Sequence, residues 1–291
     1  MIEFHADDFG LFEHQSQRIL ECYRNGVLNG ISVMPNSEYL LQSKKLLEPY
    51  IDDLAVTVHL NLVEGHCLSD PSDIELIVNQ DGVFNNSFVK LLLASFSPRR
   101  KKYLEQICSE LKEQIVRVYT LFDQKPLRLD SHVHYHMVPV VFDALMQVID
   151  EENLPVKYVR IPREHFGDYV SVGALSGLKP INLIKTIILN ILAMRNLYKY
   201  SNALGGMEKK VFYGVVHSGN MCYENVHKIL KKCQKRVQHG QNIEILFHPG
   251  SVLEAADQAK LTSKDDLSFL TDDGRKTEAA ALIQLNGDVH I

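Results

Sequence analysis

Aspartate and histidine recur in this chain where β-rich runs give out, and that placement is the first sign of chemistry. Asp7 and Asp8 follow the run 1–6, and His59 lies near the end of the run 54–62, LAVTVHLNL. Asp130 and His132 stand at the close of 127–131, and Arg160, His217 and His248 end three later runs. In a parallel barrel the C-terminal ends of the strands converge on one mouth, which is where barrel active sites are built. The same coincidence in run after run is hard to reach by chance.

Taken singly, the residues say less. A tandem Asp pair before Phe-Gly is ordinarily a turn or a helix cap. A histidine in an apolar strand is ordinarily a satisfied core residue. The alternation Asp130-Ser-His132-Val-His134-Tyr-His136 is more telling. On an extended backbone its three histidines share one face, and desolvating them together is costly unless something binds them. Not all three need be ligands, because a metal site also needs groups that orient the ligands. A carboxylate with two imidazoles is a reasonable facial set for a divalent cation, with positions left open to water and substrate. The second carboxylate of the Asp pair would sit beside that metal and could take a proton from water. His248, in LFHPG, either donates a proton to a leaving group or is an ordinary loop histidine before a turn. Arg160 offers a bidentate fork that would orient Asp7 or bind an anionic substrate group. His134 and His217 are expected as further substrate contacts at the mouth.

The elements that must position these residues alternate between strand and helix. The runs 1–6, 30–34, 54–62, 127–131, 156–161, 211–216 and 243–247 read as strands. Helical periodicity marks 13–25, 39–47, 140–149, 181–197, 223–237 and, weakly, 278–284. The clearest helix opens at Ser97-Pro98, a cap followed by proline where its missing N–H costs nothing. Leu104, Ile107, Leu111, Ile115, Val118 and Phe122 then lay one apolar stripe along it. Such alternation predicts an α/β protein with a mainly parallel sheet, a barrel or distorted barrel before an open sheet. With 291 residues, one domain over 1–291 is expected, carrying a helical insertion or lid at about 165–208.

Composition removes several classes. Hydrophobic residues make up 45% and charged residues 23%, close to the globular average, which disfavours disorder and coiled coil. Thirty-one basic against 36 acidic residues leave a net charge of −5. Neither a nucleic-acid partner nor electrostatic membrane attachment is expected. The five cysteines show no C-x-x-C spacing, so free thiols in a reducing cytoplasm are expected. The start MIEFHADDFG lacks the basic and apolar regions of a signal peptide. The 181–197 segment is interrupted by Lys185, Asn190 and Arg195, too soon for a membrane span; it reads as a packed helix, a lid or a homodimer contact. No G-x-x-x-x-G-K-[ST], G-x-G-x-x-G or G-x-S-x-G occurs, so phosphate-loop, dinucleotide-fold and serine-hydrolase chemistry lose their usual support.

HADDFG at 5–10, SVMPNS at 32–37, VHLNLVEG at 58–65, LDSHVHYHMVP at 129–139 and ILFHPG at 245–250 together resemble the YdjC-like carbohydrate deacetylases, which include chitooligosaccharide deacetylases. The resemblance is dense over about 3–140 and patchy afterwards. It implies a distorted (β/α) TIM-like barrel related to the polysaccharide deacetylases. It implies one divalent metal, magnesium before zinc, held by Asp8, His59 and His132, with Asp7 as catalytic base and His248 as acid. The implied reaction removes an N-acetyl group from an amino sugar or short oligosaccharide, a small carbohydrate substrate. Two positions depart from the family pattern: His5, where Asn is common, and Val133, where a polar residue is frequent. Two other readings use the same residues: a metal-dependent phosphoesterase, and a non-catalytic sugar-binding protein with a structural metal. Phosphoryl chemistry wants more positive charge than this site supplies, and the intact Asp7 and His248 speak against loss of catalysis.

Overall fold

Seven β-rich runs form strands, seen in a computed structural model that describes residues 1–123, 125–261 and 264–288. The first half holds β1 (Ile2–Phe9), α1 (Glu13–Asn25), β2 (Gly30–Val33), α2 (Leu40–Leu47) and β3 (Ala55–Leu60). There follow α3 (Phe88–Ala94), α4 (Arg100–Leu121), β4 (Leu127–Ser131), α5 (Pro139–Glu151) and β5 (Val156–Val159). Three helices, α6 (Phe166–Ser171), α7 (Pro180–Lys199) and α8 (Ser201–Gly205), occupy the stretch where an insertion was expected. The chain continues through β6 (Lys210–Tyr213), α9 (Tyr223–Gln238), β7 (Asn242–Phe247), α10 (Ala255–Gln258), α11 (Lys264–Leu270) and α12 (Asp273–Gln284). Among the described residues, no helix is long and apolar enough to cross a membrane.

All strand pairs are parallel, in the order β5-β4-β3-β2-β1-β7-β6. β5 and β7 are five places apart in that order, about 24 Å in a flat sheet. Yet Tyr158 on β5 donates to Glu244 Oε2 on β7 at 2.5 Å. The sheet is therefore strongly curled into a half-barrel. Its two edges touch where Glu208 N, just before β6, donates to the Lys157 carbonyl of β5 at 2.8 Å. The expected α/β barrel is present in distorted form.

The curl gives each strand two different faces. Phe4, Ala6, Ile31, Val58, Leu129, Ile243 and Ile245 are buried in the main apolar core. The intervening residues are polar and meet one another inside the curl. Arg128 reaches Glu3 and, at 3.1 Å, Thr57 Oγ1, while Lys210 also pairs with Glu3. His5 lies between Glu3 (2.7 Å) and Ser32 (2.7 Å). Buried charges are tolerable only when paired and hydrogen-bonded, and these are. The interior leaves no room for a side chain at Gly30: a Cβ there would lie 2.5 Å from His5 Nδ1 and 2.9 Å from Glu3 Oε1. Gly30→Ala should therefore destabilise the fold by about 1–3 kcal/mol in urea unfolding, the usual cost of overpacking. Gly167→Ala, whose Cβ would meet nothing within 4 Å, is the matched control and should cost nothing.

Two local expectations are corrected. β1 runs on through Phe9, so Asp7 and Asp8 lie inside the strand end, not after it. α4 begins at Arg100; Ser97 and Pro98 belong to the preceding turn, where the Ser97 carbonyl accepts from Arg100 N at 3.0 Å. The stripe itself holds, with Ile107, Leu111, Ile115, Val118 and Phe122 buried.

Candidate metal and active site

Strict alternation would send the side chains of Asp7 and Asp8 to opposite faces of β1. Asp8 avoids this with a left-handed backbone, φ 69°, and the pairing of β1 with β2 shifts register between Ala6 and Phe9. Both carboxylates thereby turn to the same mouth. Asp8 Oδ1 lies 3.4 Å and Asp7 Oδ2 3.8 Å from His59 Nε2, which has no hydrogen-bond partner although buried. His59 Nδ1 is held at 2.7 Å by Asp130 Oδ1, fixing which nitrogen faces the mouth. Burial opposes a charge on His59, but Asp7 and Asp130 outweigh it and lift its pKa to about 9.

His132 follows β4 directly. Its Nδ1 meets Asp8 Oδ1 at 2.9 Å and its Nε2 meets Glu64 Oε1 at 3.0 Å. Burial works against protonation here too, and the two carboxylates hold the pKa well above the ordinary histidine range. The three histidines do not share a face as an extended backbone would require. His132–Met137 is a tight 3₁₀ coil, broken by left-handed Val133 (φ 49°) and His134 (φ 58°). The rings therefore part company. His136 turns inward to Ser131 Oγ (2.7 Å) and the Arg160 carbonyl (2.7 Å), and burial lowers its pKa to about 4. His134 lies edge-on to Phe212 with a buried, unpartnered Nδ1; burial and then Arg160 keep its pKa well below the usual value.

Arg160 is wholly enclosed, so it cannot reach a substrate in this conformation. Its Nη1 lies 3.0 and 2.9 Å from the two Asp7 oxygens and 2.7 Å from Asp130 Oδ2, and its Nε donates to Glu244 Oε1 at 2.5 Å. Of its two expected uses, orienting Asp7 is the one the structure displays. His217 is also buried, its Nε2 donating to the Ala174 carbonyl at 3.0 Å, and it does not line the cavity. His248 does line it, opposite the Asp pair in sequence but on the same mouth, with Glu278 Oε2 2.5 Å from its backbone N and 3.7 Å from Nδ1.

The cavity above these residues encloses about 450 Å³ and has Asp7, Asp8, His59, Glu64, His132 and His248 at its floor. A metal fits that floor. Asp8, His59 and His132 each offer a ligand atom, all within 4.8 Å of one another. The buried His59 Nε2 has no hydrogen-bond partner, as a metal-ligand position requires. Carboxylates that draw protons onto neighbouring imidazoles also make a place where a dication can replace those protons.

Sequence reasoning missed three supports. Glu64 lies inside the VHLNLVEG block, so its position was visible although its role was not. Arg275 donates to Asp8 Oδ2 at 2.8 Å, and Glu278 holds His248. Both come from α12, whose weak apolar pattern gave no sign of approaching the mouth.

With the geometry in place, comparison with known proteins is informative. Residues 1–285 match the family described as YdjC-like protein. A protein named carbohydrate deacetylase, from Thermoanaerobacter pseudethanolicus (strain ATCC 33223 / 39E), is 31% identical over 159 residues. That alignment takes in 55% of this chain and 60% of the relative, less than two thirds of its length. A crystal structure from Enterococcus faecalis V583, of a candidate cellobiose-phosphate cleavage protein, superposes with a TM-score of 0.68. It covers 97% of this chain and 90% of that one at 17% identity, a likeness of fold.

Proposed function

Because the chain belongs to the YdjC-like family, we propose that it is a metal-dependent hydrolase that removes the N-acetyl group from an amino sugar or a short oligosaccharide. The observation that carries this reading is the meeting of Asp8, His59 and His132 at a cavity floor, with Asp7 pinned beside them by Arg160. These three residues would hold one divalent ion, magnesium or zinc, whose Lewis acidity polarises an amide carbonyl and acidifies a water.

The remaining chemistry belongs to the chain. Asp7 accepts the proton of the attacking water, its carboxylate held in one orientation because a single guanidinium nitrogen touches both oxygens. His248 protonates the departing amine, with Glu278 fixing the backbone that carries it. Asp130 acts at one remove, orienting His59 while Arg160 and Ser32 hold its other oxygen. Burial alone would raise the pKa of Asp130; Arg160 and His59 reverse that and keep it strongly lowered.

Acetate release from N-acetylated sugars, assayed beside p-nitrophenyl phosphate cleavage, tests the reaction class. Acetate with no phosphate is expected; phosphate alone would replace this reading by a phosphoesterase. The acid is tested separately. His248→Ala should slow an N-acetyl sugar by about 10²–10⁴-fold, the usual worth of general acid–base catalysis. It should slow an activated acetate ester far less, because a good leaving group needs no proton. Equal slowing of both substrates would assign His248 to positioning and leave the acid elsewhere.

A further inference from the structure

A pocket for a free amino sugar would be expected to be polar over most of its wall, but beyond the carboxylate and histidine cluster of the candidate metal site this cavity has only Lys185 and Ser218 as polar lining, in a wall that is otherwise apolar. Above Asp7 and His132, α7 supplies Ile181, Ile184, Ile188 and Leu189, and Phe88, Val133 and Phe269 face them from other elements. Ile181 and Ile184 are each 54% exposed, so the isoleucine wall runs out of the cavity to the surface. It continues there along Ile187, Ile191 and Met194, each about half exposed. A surface helix normally turns one apolar stripe to the core and polar residues outward. Here the core-facing side is already provided by the buried Asn182, Thr186 and Ala193, opposite the isoleucines. The outward isoleucines therefore serve something other than folding, and exposed apolar surface of this kind marks a binding site.

Resting on the deacetylase reading, we infer that the substrate is an amphiphile: an acetamido sugar whose anomeric group is a hydrocarbon chain, with the sugar at the metal floor and the chain laid along α7. A second copy of this chain is a poorer occupant, because a protein laid across Ile181, Ile184 and Ile188 would close the mouth over Asp7 and His248. The volume agrees. About 450 Å³ lies within the roughly 300–1,000 Å³ of pockets that enclose drug-sized ligands, leaving room beyond a sugar ring for several methylenes.

The test uses two homologous series of alkyl glycosides, methyl to octyl, kept below their micelle concentrations. Alkyl 2-amino-2-deoxyglucosides, already deacetylated and so not consumed, are titrated calorimetrically into the full-length wild-type protein. Alkyl 2-acetamido-2-deoxyglucosides are assayed for acetate release. Each methylene drawn from water into apolar contact should tighten binding about fourfold. Three seated methylenes therefore give an expected gain of roughly 60-fold over the methyl glycoside, with kcat/KM rising in parallel. Combining Ile184→Asn with Ile188→Asn should flatten that dependence on chain length, whereas leucine at both positions should restore it. Binding that ignores chain length in the wild type, or a slope unchanged in the asparagine variant, overturns the inference. Acetate release without a slope would leave the deacetylase standing and remove the amphiphile. A binding slope with no acetate from any member would keep the apolar wall and remove the deacetylase.

Discussion

Alanine at Asp8, His59 or His132 is expected to leave the purified protein without its divalent ion and without turnover. Wild-type protein should hold about one ion per chain by elemental mass spectrometry. Losing a partner that merely orients a ligand costs about 10–100-fold in metal affinity, so losing one of three protein ligands should cost more. The local charge reinforces the effect. Asp7, Asp8, Glu64 and Asp130 all crowd the two imidazoles, a negative field that favours a dication held by all three ligands. His136→Ala is the informative control, since its ring is spent on Ser131 and the Arg160 carbonyl, away from the mouth; its metal content should stay near one. Full occupancy in all three alanine variants of the proposed ligands would show the assignment to be wrong.

Asp7→Asn should separate the base from the ligands. The amide keeps the shape of the carboxylate, and Asp8, His59 and His132 are untouched, so the ion should remain. Arg160 is not stranded by the change, because Asp130 and Glu244 still accept from it. What disappears is the basic oxygen beside the attacking water. A drop in kcat of about 10²-fold or more is expected, with metal stoichiometry unchanged. Near-normal turnover in this variant would rule out Asp7 as the base.

Much of this site was legible in the chain because a parallel sheet gathers its strand ends along one edge. Asp8, His59, His132 and His248 needed no long-range information to be grouped. Each ends a β-rich run, and runs of one direction end on one side. Arg160 was found by the same rule, but its role was not decided by it. A guanidinium at a strand end can face solvent or turn inward, and burial among Asp7, Asp130 and Glu244 settles the matter. His217 shows the rule failing: it follows β6, yet the chain turns its ring to Ala174.

Other features had no local signature at all. The left-handed backbone at Asp8 carries a conformational cost that only surrounding contacts offset; here Asp8 accepts from Arg275, and its carbonyl accepts from Gln15 at 2.9 Å. The coil at His132–Met137 likewise breaks the period-two pattern that its spacing suggested. The polar face of the strands was visible as alternation, but not as an interior. Nothing in Glu3, Arg128, Tyr158 or Glu244 taken alone says that strands five places apart will hydrogen-bond.

By itself, then, the sequence determined which residues could do chemistry, the α/β alternation and the edge on which the strand ends would collect, since these follow from periodicity and spacing along the chain. Only the tertiary structure decided that Asp7 and Asp8 face the same way, that α12 brings Arg275 and Glu278 to the mouth, and that α7 walls it with isoleucine. Those outcomes depend on curling the sheet until distant strands and the C-terminal helix meet, and closure through space is an energy shared among many residues, written at no single position.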